Sequence, residues 1–153
     1  MKIIGLFLVA AISTIGFSQE KINWIDYPTA IELQKKDPKP IIVDVYTEWC
    51  GWCKKMDATT FSDPQVVKYM NENYYCVKFD AESKDTIVVS GKQYVYYKTP
   101  EMRRGVNTLA VELLGGQMSY PSYVFVDAAG KKSVAKGWMD VAKWMAVLKQ
   151  MNV

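Results

Sequence analysis

The chain has 153 residues, 50% hydrophobic and 13% aromatic, enough apolar side chain for one domain with a core of its own. Nine glycines and six prolines exclude a low-complexity chain, and no period of about 20 to 50 residues recurs, which excludes a solenoid. The formal charge of +3 is scattered, without basic runs interleaved with aromatics, so nucleic acid is not an expected partner.

Residues 1–18 read as a cleavable secretory signal, with Lys2, an apolar stretch from Ile3 to Ile12, and small Gly16 and Ser18 where a signal peptidase reads. Ser13, Thr14 and Gly16 interrupt that stretch before it reaches the roughly 20 apolar residues of a membrane span, which is the alternative reading. The expectation is one domain over residues 19–153, periplasmic or secreted after cleavage near Ser18. Thiols outside the cytosol tend to be oxidised, yet three cysteines are not the even set of a stapled exported domain.

Along residues 22–37, Pro28 marks a helix start, Ala30, Ile31 and Leu33 give a short apolar face, and "DPKP" ends it. "IIVDVY", residues 41–46, is a β-branched run too apolar to alternate, as expected of a strand covered on both faces. "CKKMDATTF" has helix-compatible composition, and Ser62, Asp63 and Pro64 start a further helix in which Val66, Val67 and Met70 recur to Asn73. "YYCVKFDA", residues 74–81, is a second strand, and the β-α-β order favours parallel pairing through a right-handed crossover.

Residues 82–117 are less regular. "TIVVSGKQYVYY" reads as a hairpin turning at Ser90 and Gly91, and "VNTLAVELLGG" as a short helix closed by glycine. "YPSYVFVDAAGKKSVAKGW" reads as two strands joined by a turn. Asp140 then caps a last helix whose Val141, Trp144, Met145, Leu148 and Met151 share one face that packs on the sheet.

The chemistry concentrates in "TEWCGWCKK", where Cys50 and Cys53 stand two residues apart and each follows a tryptophan. A structural zinc needs four Cys or His ligands, and this chain has no histidine and only one further cysteine, Cys76. Zinc would require carboxylates or a dimer. The missing histidine also excludes a covalent haem signature and every Ser/His or Cys/His nucleophile. A purely structural Cys50–Cys53 bond is the second alternative, although so small a ring stabilises little. A cycling dithiol is the third. At a helix N-terminus Cys50 would meet free backbone N–H groups and the positive end of the helix dipole, which favour the thiolate. Cys53, one turn in and deeper, suits a resolving thiol. Cys76 reads as a buried free thiol acting as a small hydrophobe.

"IIVDVYTEWCGWCKKM", together with the later "SYP", resembles the active-site strand, helix and proline loop of the thioredoxin superfamily. "GW" between the cysteines and "CKKM" after them resemble the exported thioredoxin-like proteins rather than thioredoxin proper, which has Gly-Pro there. The resemblance covers roughly residues 38–81 and 117–151. It implies an α/β thioredoxin fold, a central mixed sheet flanked by helices, with residues 82–117 inserted before the cis-proline strand.

Residue by residue, the resemblance assigns Asp44 to the buried acid that handles the resolving thiol's proton. Ile42, Val43 and Val45 around it would desolvate the carboxylate and raise its pKa; the alternative is an aspartate capping a strand end. Lys78 matches the lysine beside that acid, or else is a solvated lysine facing an edge. Pro121 matches the proline whose peptide with Tyr120 is cis, and the backbone there pairs with an extended target chain. Trp49, Gly51 and Trp52 complete the expected target-binding set. Trp52 has no counterpart in thioredoxin proper and forms either an apolar rim or packing on its own helix. Tyr94, Tyr96, Tyr97, Arg103 and Arg104 of the insert form either a partner surface near the active site or, for the tyrosines, a small core of the insert's own, with the arginines solvated.

The implied function is an exported protein thiol–disulfide oxidoreductase, a reductase before an oxidant or isomerase, needing no dissociable cofactor and no metal. Its partners would be exported proteins carrying disulfides or thiols, and a membrane thiol electron donor. The alternative from another class is a non-catalytic binding module or metal-delivery protein of the same fold, with two thiols suited to Cu(I).

Overall fold

The computed structural model describes residues 20–151. The expected signal, residues 1–18, lies outside the described residues. The first element is a two-residue strand, β1 (Trp24–Ile25), which the sequence did not signal. Asp26 then accepts the Thr29 amide N–H at 2.8 Å and caps helix α1 (Tyr27–Lys36), with Pro28 in its first turn. Strand β2 (Ile41–Tyr46) leads into α2 (Gly51–Ala58) and a 3₁₀ turn over Thr60–Ser62. Asp63 caps α3 (Pro64–Asn73), and β3 (Tyr75–Asp80) follows.

Within the insert, β4 (Ile87–Val89) and β5 (Lys92–Tyr94) form the expected hairpin, with Ser90 and Gly91 at positive φ as a two-residue turn requires. The hairpin is shorter than the sequence implied. Val95 bonds Thr108 instead of a strand neighbour, through its N–H to Oγ1 at 3.0 Å and its carbonyl from the Thr108 N–H at 2.9 Å. Strand β6 (Tyr96–Tyr97) therefore pairs with β7 (Val106–Asn107) in a separate ribbon. Asn107 caps α4 (Thr108–Leu114), which Gly115 closes in the left-handed conformation. Strands β8 (Ser122–Val126) and β9 (Lys132–Lys136) and helix α5 (Val141–Met151), capped by Asp140, complete the chain.

The main sheet has the order β1-β3-β2-β8-β9, with β1, β3 and β2 parallel and β8 and β9 antiparallel to their neighbours. Alternation along β2 sends Ile41, Val43 and Val45 to one face and Ile42 and Asp44 to the other. The first face packs under α1 and α4, with Leu109, Ala110 and Leu113 buried. The second packs under α2, α3 and α5 around Met56, Val66, Met70, Trp144 and Leu148. The insert is thus no separate unit: α4 covers one side of the sheet, and Tyr94 is buried in that main core, not in one of its own.

Trp144 is fully buried against Phe61, Tyr123 and Phe125. Trp144→Ala is expected to cost about 3–5 kcal/mol, read as a lowered urea midpoint with an unchanged slope. Among the described residues no helix is long and apolar enough to cross a membrane.

Candidate active site

Strand β2 ends at Tyr46, and the turn that follows is closed by the Cys50 N–H bonding the Thr47 carbonyl at 3.0 Å. Cys50 is thereby delivered to the N-cap of α2. Its Sγ accepts the Cys53 amide N–H at 3.1 Å, and its carbonyl accepts that of Lys54 at 3.2 Å. The N–H bonded to this sulfur and the positive end of the helix stabilise negative charge there. Cys50 and Cys53 are joined as a disulfide, Sγ–Sγ 2.06 Å. Cys50 is 5% exposed and Cys53 3%, so in this oxidised state the expected difference in exposure between them is nearly absent. What separates them is position: Cys50 caps the helix, and Cys53 lies within its first turn.

Asp44 is buried on the face of the sheet that α2 covers. The parallel register sets it beside Lys78, whose Nζ donates to Asp44 Oδ2 at 3.0 Å. The same ammonium donates to Asp57 on α2. Lys78 is therefore paired on both sides, not a solvated lysine at a sheet edge. Burial pushes the Asp44 carboxyl up to about 6 against the opposing pull of Lys78, and Oδ1 has no hydrogen-bond partner. Burial alone would lower the Lys78 ammonium, but Asp44 and Asp57 outweigh it and hold it above its ordinary value. Asp57 follows Cys53 by one helical turn on the same face, which ties the Asp44–Lys78 pair to the cysteine helix. A cleft of about 400 Å³ beside Trp24 and Phe61 reaches Lys78 and Asp57.

The Tyr120–Pro121 peptide is cis. Ser122 pairs with Val45, so these two residues precede β8 at the end of the sheet from which the Cys50 turn springs. The Tyr120 ring meets that of Trp49 near a right angle, centroids 5.9 Å apart. Trp49 and Trp52 are both exposed, on either side of Cys50. Trp52 lies 6.4 Å from Trp138, and the Lys55 ammonium sits over both rings, so Trp52 packs beyond its own helix while keeping an open face. Gly51 is exposed, and a side chain there would meet nothing else in the chain.

The expected site residues Asp44, Trp49, Gly51, Trp52, Lys78, Tyr120 and Pro121 thus gather about the Cys50–Cys53 pair or beneath its helix. Cys76 stands apart in β3, where burial pushes its thiol up to about 12. Asp57 and Glu82 were not singled out from the sequence, and Arg104 only as part of a partner surface near the active site. Asp57 was legible in its four-residue spacing from Cys53. Glu82, which accepts the Trp49 indole N–H at 2.9 Å, carries no periodic signal. Arg104 stacks 5.1 Å over Trp49 and pairs with Glu82, where the sequence offered only a partner surface for the insert.

Asn107 ties the insert to this region, its amide donating to the Ser83 and Asp85 carbonyls at 3.1 and 3.0 Å and its Oδ1 capping Leu109 N–H. Asn107→Ala orphans the buried Leu109 N–H and two part-buried carbonyls and is expected to cost about 2 kcal/mol, measured by thermal unfolding. Among the described residues no group of three His, Cys, Asp or Glu side chains could hold a metal ion.

A mixed sheet carrying a CXXC disulfide at a helix N-terminus, with a cis-proline at the same end of the sheet, defines a thioredoxin-like thiol–disulfide oxidoreductase fold. The chain belongs to the family described as "Thioredox_DsbH: Protein of unknown function, DUF255", whose family model matches residues 15–151. Among curated proteins it is similar to thiol:disulfide interchange protein DsbD of Photorhabdus laumondii, 26% identical over 134 residues, 83% of this chain and 20% of that protein. It also matches spermatogenesis-associated protein 20 of Mus musculus, 32% identical over 69 residues, 43% of this chain and 8% of that protein. The chain spans at most a fifth of the length of these relatives. Among solved structures, a DsbH oxidoreductase aligns with TM-score 0.60 at 22% identity, over 97% of this chain and 94% of that one. The reduced C-terminal domain of Neisseria meningitidis DsbD aligns with TM-score 0.51 at 24% identity, over 78% of this chain and 87% of that one. These likenesses are of fold.

Proposed function

We propose that this protein is an exported reductase of protein disulfides, working through the Cys50/Cys53 dithiol. The observation that carries the reading is the placement of Cys50 Sγ at the N-cap of α2, accepting the Cys53 N–H at 3.1 Å. In the reduced enzyme the Cys50 thiolate attacks one sulfur of a target disulfide. The target S–S bond breaks, a mixed disulfide forms, and the first target thiolate leaves and takes a proton from solvent. Asp44, ionised, accepts the proton of the Cys53 thiol, with Lys78 holding the carboxylate beneath α2. The Cys53 thiolate then attacks Cys50 Sγ, closing the enzyme disulfide and releasing the second target thiolate, which is protonated in turn. Two electrons pass from the enzyme dithiol to the target.

Trp49, Gly51, Trp52, Tyr120 and Pro121 form the target-binding edge, where an extended target backbone lies along the residues before Pro121. The disulfide left on the enzyme must be reduced again. The similarity to the interchange protein DsbD supports a membrane thiol donor for that step, and substrates that are exported proteins. Residues 1–18 act as the cleaved signal. The test is whether the domain over residues 19–153 accelerates dithiothreitol-driven reduction of insulin, and whether a Cys53→Ser variant captures envelope proteins as mixed disulfides. No acceleration and no capture would reject the reading.

A further inference from the structure

Trp49 precedes the nucleophile, and 51% of its surface is exposed. A large ring left so open would be ordered only when a target binds. Here it is already fixed from three segments of the chain: Glu82 accepts its indole N–H at 2.9 Å, Tyr120 meets its ring, and the Arg104 guanidinium lies 5.1 Å from its centroid. Arg104 Nη1 also pairs with Glu82 Oε2 at 3.5 Å, so one cation holds both the indole and the carboxylate that binds it.

The loop carrying Arg104 is placed by the fold. Its strands β6 and β7 pair on either side of it, and the Asn107 N–H bonds the Ala81 carbonyl at 2.7 Å, next to Glu82. Gly105, adjacent to Arg104, packs so closely on Tyr96 that an added Cβ would fall 2.3 Å from the ring. Arg104, Gly105 and the β6–β7 ribbon lie outside the region that resembles thioredoxin. They belong to the insert.

We propose that Arg104 is a positioning residue for the exchange reaction: from the insert, it clamps the Trp49 indole to Glu82 and so pre-forms the target-binding wall beside Cys50. This rests on the exchange function proposed above. Ordering one large side chain in advance lowers the cost of binding a target without changing the sulfur chemistry. The effect falls on KM.

The experiment measures kcat and KM for insulin reduction by wild type, Arg104→Ala and Arg104→Lys, with 5-fluorotryptophan labelling in parallel. The Trp49 fluorine resonance is identified by its loss in Trp49→Phe. Arg104→Ala is expected to raise KM about 2- to 12-fold, the range for ordering one side chain, with kcat within twofold, and to shift the Trp49 resonance. Arg104→Lys keeps the cation and is expected to recover part of both effects. An unmoved resonance, or an unchanged KM beside a moved resonance, overturns the proposal. A wild type that reduces no insulin instead contradicts the proposed function, and the resonance alone then reports whether Arg104 holds Trp49.

Discussion

Replacing Cys50 with serine is expected to abolish insulin reduction, by on the order of 10³ or more in rate, because serine supplies no nucleophile ionised near neutral pH. Cys53→Ser is expected to lose turnover to a similar extent but to keep the first chemical step. It therefore accumulates a mixed disulfide through Cys50, seen as a dithiothreitol-sensitive mass increase. The contrast separates attack from resolution. It follows from the position of Cys50 at the helix start and of Cys53 within the first turn. Cys76→Ser is expected to leave both steps intact, since its thiol is buried in β3 and pushed up to about 12. Mixed disulfides that form equally through either cysteine would contradict the assignment of roles.

The second large effect concerns Asp44. Its carboxyl is raised by burial to about 6 from an ordinary 3.8, so the folded protein keeps this proton to higher pH than the unfolded chain does. The resulting stabilisation is present below about pH 4 and is lost as pH rises through about 6. Asp44→Asn removes this dependence. Relative to wild type, the variant should gain about 2 kcal/mol between pH 4 and pH 7, most of the equivalent of the shift, read from urea unfolding at several pH values. Lys78 keeps Asp57 as its partner in the variant. The same change removes the proposed proton acceptor for Cys53 and should slow turnover by about 10². Wild-type turnover should itself fall as pH drops below about 6, where Asp44 becomes protonated. A variant that loses the fall in stability between pH 4 and pH 7, yet turns over more slowly at neutral pH, is the expected signature of a buried acid kept for proton transfer. Stability profiles that run parallel would contradict it.

Much of the fold was legible because its signals are local. Pro28, Pro64 and Asp140 marked helix starts, Ser90 and Gly91 marked a hairpin turn, and "IIVDVY" marked a strand covered on both faces. What was not legible depends on pairing at a distance. Two residues, Trp24 and Ile25, form a strand only because β3 offers its edge at Cys76 and Val77. Tyr96 and Tyr97 leave their hairpin because Val95 finds Thr108. The site divides in the same way. Cys50, Cys53, Asp44 and Pro121 could be picked out by their spacing and the company of "IIVDVYTEW". Glu82 could not, and Arg104 only as part of a partner surface near the active site, since their contacts exist only once the insert folds back on Trp49.

The proposed reaction requires Cys50 to be the attacking sulfur, ionised more readily than its partner. Reduced protein should be alkylated briefly with iodoacetamide over a range of pH and the label mapped by peptide mass. The expected label falls on Cys50 first, with a midpoint below the 8.5 or so of a free cysteine, while Cys53 and Cys76 stay unmodified. Labelling that reaches Cys53 first, or a Cys50 midpoint at or above that value, would contradict it.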